Sequence, residues 1–121
     1  CRNPLPLGIE TGTIKDNQIT ASSVYLDYQP TRGRLGGARG WAPSSLDQNQ
    51  WLQIDLGSMK WVNKVGTQGD GGFHNWVTSY KLSYSRDGIS WTDYSQHGKI
   101  MVSAIFGISK RSNTLKEFVK F

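Results

Sequence analysis

The sequence predicts one all-β domain, a sandwich or a barrel. Three observations carry that prediction. Apolar residues recur with a period of two, and no stretch repeats at the 3.6 spacing of a long helix. Turn residues punctuate the chain at short intervals, with 14 glycines among 121 residues. The length suits a single core that buries roughly two thirds of the surface of the unfolded chain.

The elements follow in order. Lys15-Asp16-Asn17 is turn-prone, and Ile19 to Ser23 begins the first strand. In Trp51-Leu52-Gln53-Ile54-Asp55-Leu56, the residues Leu52, Ile54 and Leu56 point to one face and Trp51, Gln53 and Asp55 to the other. Gly57-Ser58 ends that run. Trp61 to Thr67 reads as a shorter, less regular strand. From Trp76, the set Trp76, Thr78, Tyr80, Leu82 and Tyr84 alternates with Val77, Ser79, Lys81, Ser83 and Ser85, which predicts a long half-buried strand. The strand aromatics read as buried. Asp87-Gly88 makes a turn, and Ile89 to Tyr94 returns as the hairpin partner. Ile100 to Ile105 is apolar enough for a buried strand, and Leu115 to Phe121 forms a further one.

Three loops stand out. Tyr25 to Gly40 holds Pro30, Gly33, Gly36, Gly37 and Gly40; Trp41 to Gln50 holds Pro43 and a polar run; Gly69-Asp70-Gly71-Gly72 opens the third. Tyr25, Leu26 and Tyr28 cluster after the first strand, and Phe73 sits beside the third glycine run. Large apolar residues at loop tips mark a binding surface or a small satellite core.

Composition excludes several classes. No apolar run approaches the ~18 residues of a membrane-spanning helix. Charged residues are 19% of the chain and hydrophobic ones 36%, which is not a disordered composition. The net charge of +5 permits an acidic partner without requiring one. Arg32, Arg34 and Arg39 share a window without an acid, and Lys99, Lys110, Arg111, Lys116 and Lys120 face only Glu117. Basic charge with exposed aromatics is how single-strand nucleic-acid binders work, but no basic–aromatic alternation appears, so no nucleic-acid partner is expected.

Catalytic signals are absent. The chain has no G-x-S-x-G elbow, no H-E-x-x-H and no phosphate-binding glycine loop. His74 and His97 stand apart in loop segments, and Glu10 and Glu117 are the only glutamates. No carboxylate pair is marked for glycoside hydrolysis. Asp16, Asp27 and Asp70 lie in loops without a spacing that makes a calcium site, so neither metal nor cofactor is expected. The single cysteine, Cys1, makes no internal bridge and excludes a Cys-rich zinc site; it is a free thiol or half of a bridge to a partner elsewhere. Asp55, on a strand beside Trp51, needs a partner if buried, and Arg34 is the candidate for a structural ion pair.

The order of segments resembles a known family. Leu7-Gly8-Ile9-Glu10, then Ile14 to Ser23, then Arg34-Leu35 and Gly40-Trp41-Ala42-Pro43 are similar to the opening of discoidin domains, the coagulation factor V/VIII C-type domains. Gln50 to Gly57 resembles the family's most characteristic segment. Thr67-Gln68-Gly69 and Trp76 to Gly88, ending at Trp91, continue the likeness. Within the family, Asn75 to Tyr80 is most similar to discoidin domains of neurexin-related and contactin-associated adhesion proteins.

The resemblance implies a jelly-roll β-sandwich of about eight strands with three loops at one end. Here these are Ser23 to Leu35, Gly36 to Trp41, and Gly69 to Asn75. It implies a non-catalytic, extracellular module whose loops bind phosphatidylserine membranes, collagen, peptides or glycans. It also implies that Cys1 bridges to a cysteine beyond this chain. Residues 1–121 are then one discoidin domain, incomplete at its C-terminal end by about two strands of ~5–6 residues. Without those strands a sheet edge would be exposed.

On this reading the ligand-binding residues are Tyr25, Leu26, Tyr28, Arg32, Arg39, Phe73 and His74, and Cys1, Arg34, Trp51 and Asp55 are structural. The leading expectation is an adhesion module that binds an extracellular protein or matrix partner. Asp27 and Asp70 among the tips argue against an anionic lipid layer, which attracts cations, and Arg32 and Arg39 offset this in part. Phosphatidylserine membranes are the alternative ligand. Glycan is the third, with Trp41 and His74 as candidate platforms.

Overall fold

Strand-forming alternation becomes strand where a hydrophobic face finds cover. A computed structural model of the chain describes residues 6–58, 60, 62, 65–72, 77, 80–94, 105–107 and 115–120. The strands are β1 (Ile19–Ala21), β2 (Trp51–Asp55), β3 (Gly66–Gln68), β4 (Tyr80–Ser85), β5 (Thr92–Asp93), β6 (Ile105–Gly107) and β7 (Leu115–Lys120), with 3-10 turns at Asp16–Gln18 and Pro30–Gly33. No α-helix occurs among the described residues.

The larger sheet has the order β1-β2-β7-β4-β5. β1 lies antiparallel on β2, with Ile19 opposite Ile54 and Ala21 opposite Leu52. β2 and β4 both pair in parallel with β7, so that Leu52, Glu117 and Leu82 share one row. β5 returns antiparallel on β4, Ser83 opposite Asp93. β3 and β6 form a separate parallel pair.

β2 organises the core. Leu52 and Ile54 are almost wholly buried and alternate with half-buried Trp51, Gln53 and Asp55, as the period of two requires. Ile9, Ile14, Ile19, Trp41 and Leu56 pack with them, and Leu7, Ala21, Val62, Val65, Val77 and Leu82 flank the cluster. Gln18 ties the first 3-10 turn to β2: its Nε2 donates to the Asp55 carbonyl at 2.8 Å while its Oε1 accepts the Lys15 amide at 2.8 Å.

β7 lies at the centre of the larger sheet. Three sequence expectations change. β4 begins at Tyr80, Val77 stands outside it, and the start of the expected strand at Trp76 falls outside the described residues. On β4 the buried side chains are Ser83 and Ser85, whereas Tyr80 and Tyr84 remain 39% and 40% exposed. The reason is polar: Ser83 Oγ donates to Asp93 Oδ1 across the hairpin, and Ser85 Oγ donates to Asp87 Oδ1 while accepting the Gly88 amide. Finally, the two later strands shift: Gly66 to Gln68 replaces the end of the Trp61–Thr67 run, and Ile105 to Gly107 follows a run whose first residues, 100–104, lie outside the described residues.

Candidate functional site

The first loop is built around one tight turn. Tyr28 N donates to the Tyr25 carbonyl at 3.0 Å, placing Leu26 and Asp27 at its two central positions. Leu26 has φ +48°, the one positive φ among the described non-glycine residues. Glycine normally supplies that conformation in tight turns. Leucine there is strained, and its side chain is 74% exposed. A bulky apolar group is therefore held outward by the backbone, against both sterics and hydration.

Two flanking hydrogen bonds fix the turn to the body. Tyr25 N donates to the Ala42 carbonyl at 2.9 Å, and Ala42 N donates to the Tyr28 carbonyl at 3.4 Å. Beneath it, the buried Gln50 Oε1 accepts both the Ser22 and Ser23 hydroxyls, at 2.8 and 2.6 Å, and its Nε2 donates to Asp47 at 3.0 Å. Ser44 N donates to Ser23 Oγ at 3.1 Å, which brings the 44–50 segment to the same end. Pro30 opens the second 3-10 turn, where its fixed φ is already suitable.

The second loop reaches back over the first. The Arg39 guanidinium carbon stands 5.6 Å from the Tyr28 ring centroid, a cation–π distance. Tyr25 and Tyr28 have centroids 6.2 Å apart. Asp27 bridges the basic groups, with Oδ2 at 3.0 Å from Arg32 Nη2 and Oδ1 at 3.5 Å from Arg39 Nη1. Two cations thus surround one carboxylate, and the cluster carries a net positive charge. Such exposed pairs are worth under about 1 kcal/mol each and exchange readily with a ligand.

The third loop joins through its backbone. Gly36 N donates to Gln68 Oε1 at 3.2 Å, and Gly71 and Gly72 lie along the Ala38 carbonyl. Asp70 is buried and accepts the Gly72 amide at 3.1 Å, so it shapes the loop and is not presented at a tip. Among the described residues no group of three or more His, Cys, Asp and Glu is placed to hold a metal ion.

Tyr25, Leu26, Tyr28, Arg32 and Arg39 therefore converge. Phe73, His74 and Cys1 lie outside the described residues. Arg34 does not serve Asp55: its Nη2 pairs with Asp16 Oδ1 at 2.6 Å and its Nη1 donates to the Ile9 carbonyl at 2.5 Å. The Asp55 carboxylate instead accepts the Gly57 amide at 2.8 Å. Trp41 is wholly buried, its Nε1 donating to the Ser23 carbonyl at 2.9 Å, so it offers no platform to a glycan. Sequence reasoning passed over Leu46, which is 59% exposed; as the lone aliphatic residue of the polar run Ser44 to Gln50 it carried a usable signal.

Comparisons with known proteins place this geometry in context. The family model described as F5/8 type C domain matches residues 18–120. Rat lactadherin is 42% identical over 105 residues, covering 77% of this chain and 25% of that protein. Human EGF-like repeat and discoidin I-like domain-containing protein 3 is 43% identical over 101 residues, 74% of this chain and 21% of that protein. Pig coagulation factor V is 38% identical over 125 residues, 95% of this chain and 5% of that protein. The chain thus spans a quarter or less of these relatives. They replace the narrower likeness to neurexin-related and contactin-associated proteins, which rested on the six residues Asn75 to Tyr80, too few to outweigh identity spread over a hundred positions. The chain belongs to the F5/8 type C, or discoidin, domain family.

Proposed function

We propose that this chain is one discoidin domain, a non-catalytic extracellular module that attaches to anionic phospholipid membranes through its loop face. Its two sheets would be layers of the jelly-roll sandwich the family resemblance implies. One observation carries the reading: Leu26, apolar and mostly exposed, is held at positive φ on the apex of the first loop. An exposed aliphatic tip suits insertion into an apolar medium better than contact with water.

Electrostatics supports the same reading and removes the objection from sequence. Asp27 is compensated by Arg32 and Arg39, and Asp70 is turned inward. The tip cluster is therefore cationic, and each net positive charge near such a surface is worth about 1 kcal/mol. Burying the Leu26 side chain adds about 2 kcal/mol. The expected order of events is long-range attraction, then insertion of Leu26 with Tyr25 and Tyr28 at the interface, where tyrosine's ring and hydroxyl both find suitable surroundings.

Co-sedimentation with phosphatidylserine-containing and with neutral vesicles tests this. Binding should be confined to the anionic vesicles, weaken with salt, and fall roughly tenfold or more in Leu26→Ala. A folded protein that ignores both vesicles, or a Leu26→Ala variant that binds as well as wild type, would overturn the proposal and return the loops to a protein partner.

A further inference from the structure

We infer that the Arg39–Gly40 bond is a processing site for a trypsin-like serine protease, and that a cut there releases the hold of the second loop on the first. Such an enzyme selects arginine with a carboxylate in its primary pocket. The step is a hydrolysis: water adds across the peptide bond, Arg39 gains a carboxylate and Gly40 an ammonium. The cut is independent of the membrane reading above, and its effect on vesicle binding rests on that reading.

Accessibility singles out this bond. Gly36, Gly37, Ala38 and Arg39 form a continuous exposed run, and no strand or 3-10 turn includes residues 35–40. Gly36 has φ +75°, and its amide is held by a side chain, Gln68 Oε1, at 3.2 Å. Two glycines and an alanine leave the segment free to extend into a protease cleft. The Arg39 side chain is 42% exposed, and its contacts with Asp27 at 3.5 Å and the Tyr28 ring at 5.6 Å are surface contacts that exchange readily. Other basic residues sit on held backbone. Arg32 lies inside the Pro30–Gly33 turn and Lys81 in β4. Arg34 pairs with Asp16 and the Ile9 carbonyl. Lys15 is closed by Gln18 at both its amide and its carbonyl. Arg86 stands between Ser85 and Asp87, whose side chains accept the amides of Gly88, Ile89 and Ser90.

The bond lies between two anchors, so a cut leaves the domain assembled. Upstream, Arg34 is pinned to Asp16 and Ile9; downstream, Trp41 is buried and bonded to the Ser23 carbonyl. Across the cut, β1 stays paired with β2, Gln18 with the Asp55 carbonyl, and Gln50 with Ser22 and Ser23. The change is local to the tip. Arg39 becomes the end of a free tail, where its new carboxylate offsets its own guanidinium. Gly40 is buried, and an ammonium without a partner there moves out to water. That movement pulls on Ala42, whose carbonyl holds the Tyr25 amide and whose amide reaches the Tyr28 carbonyl. The turn that presents Leu26 loses one of its two cations and its brace.

Limited trypsin digestion of the folded chain, read by intact mass, tests the site. The bond after Arg39 should be cut at least about tenfold faster than those after Lys15, Arg32, Arg34, Lys81 and Arg86. Arg39→Lys should keep the cut, and Arg39→Gln should remove it while the other cuts keep their rates. The nicked pieces should co-elute on gel filtration and separate in denaturant. No cut after Arg39, a cut as fast after one of the other named residues, or pieces that separate without denaturant would overturn the proposal. The nicked chain should bind phosphatidylserine-containing vesicles about fivefold more weakly than the intact one, and those vesicles, but not neutral ones, should slow the cut. Equal binding by nicked and intact chains would overturn the effect on the tip and leave the site standing. An intact chain that ignores vesicles yet is cut after Arg39 would overturn the membrane reading alone.

Discussion

The Trp41 indole donates its N–H to the Ser23 carbonyl at 2.9 Å, joining the centre of the core to the root of the first loop. Trp41 is wholly buried, so its polar atom needs this acceptor. Replacing it by phenylalanine removes the donor and part of the volume. Trp41→Phe should lower unfolding stability by about 2 kcal/mol, read as a shifted urea midpoint. An unchanged midpoint would mean that the hydrogen bond adds nothing to the packing.

Two glycines at the N-terminal end separate steric from conformational cost. Gly8 has φ +94°, and a Cβ there would lie 2.4 Å from the Thr13 Cβ. Gly12 has φ +80° and nothing within 4 Å of the same position. Gly8→Ala should therefore destabilise by at least about 2 kcal/mol, and Gly12→Ala by about 1 kcal/mol from left-handed strain alone. Equal losses in denaturant would show that the Thr13 contact relaxes freely.

Leu26 offers the reverse experiment. Glycine relieves the strain at φ +48° but enlarges the freedom of the unfolded chain. The two effects oppose, so Leu26→Gly should stay within about 1 kcal/mol of wild type in stability. Vesicle binding should nonetheless fall. A variant that lost stability and binding together would point to a packing role for the side chain.

The turn after β4 sets a pH dependence. The amides of Ile89 and Ser90, with the Ser85 hydroxyl, hold the Asp87 carboxyl down to about 2 from its ordinary 3.8. A depressed carboxyl contributes its full stabilisation above the unfolded value and loses it as pH falls through the folded one. The turn should therefore persist at pH 4 and loosen as pH falls from about 3.8 towards about 2. The Asp87 side chain, followed by NMR, should titrate near 2; a midpoint near 4 would contradict the hydrogen-bonding seen here. Asp87→Asn should remove this dependence.

Sequence alone made some of this legible for physical reasons. The alternation in Trp51 to Leu56 gave β2 and its buried face because period two and burial are the same statement on a half-covered strand. The aromatic and basic residues of the first loop stood out because tips seldom carry them. The partners were harder. Asp16, which opens a three-residue turn, takes Arg34, and no local pattern distinguishes it from Asp55. Arg32 and Arg39 were expected to offset Asp27 only in part, because sequence does not show that both reach the same carboxylate from two different segments. The burial of Ser83 and Ser85 over Tyr84 depended on a hydroxyl network that hydropathy alone does not predict.

The position of β7 has a consequence for assembly. Among the described strands, β1 and β2 on one side and β4 and β5 on the other are joined in the sheet through it. Each half can form a hairpin-like pair early, yet neither can dock on the other until residues 115–120 have left the ribosome. Pairing Trp51 with Lys116 closes a long loop, which makes the docking step non-local and slow. Until then both inner strand edges are unpaired, and edges of that kind invite association with other chains. Among the described strands, β7 is the one that turns two half-sheets into one.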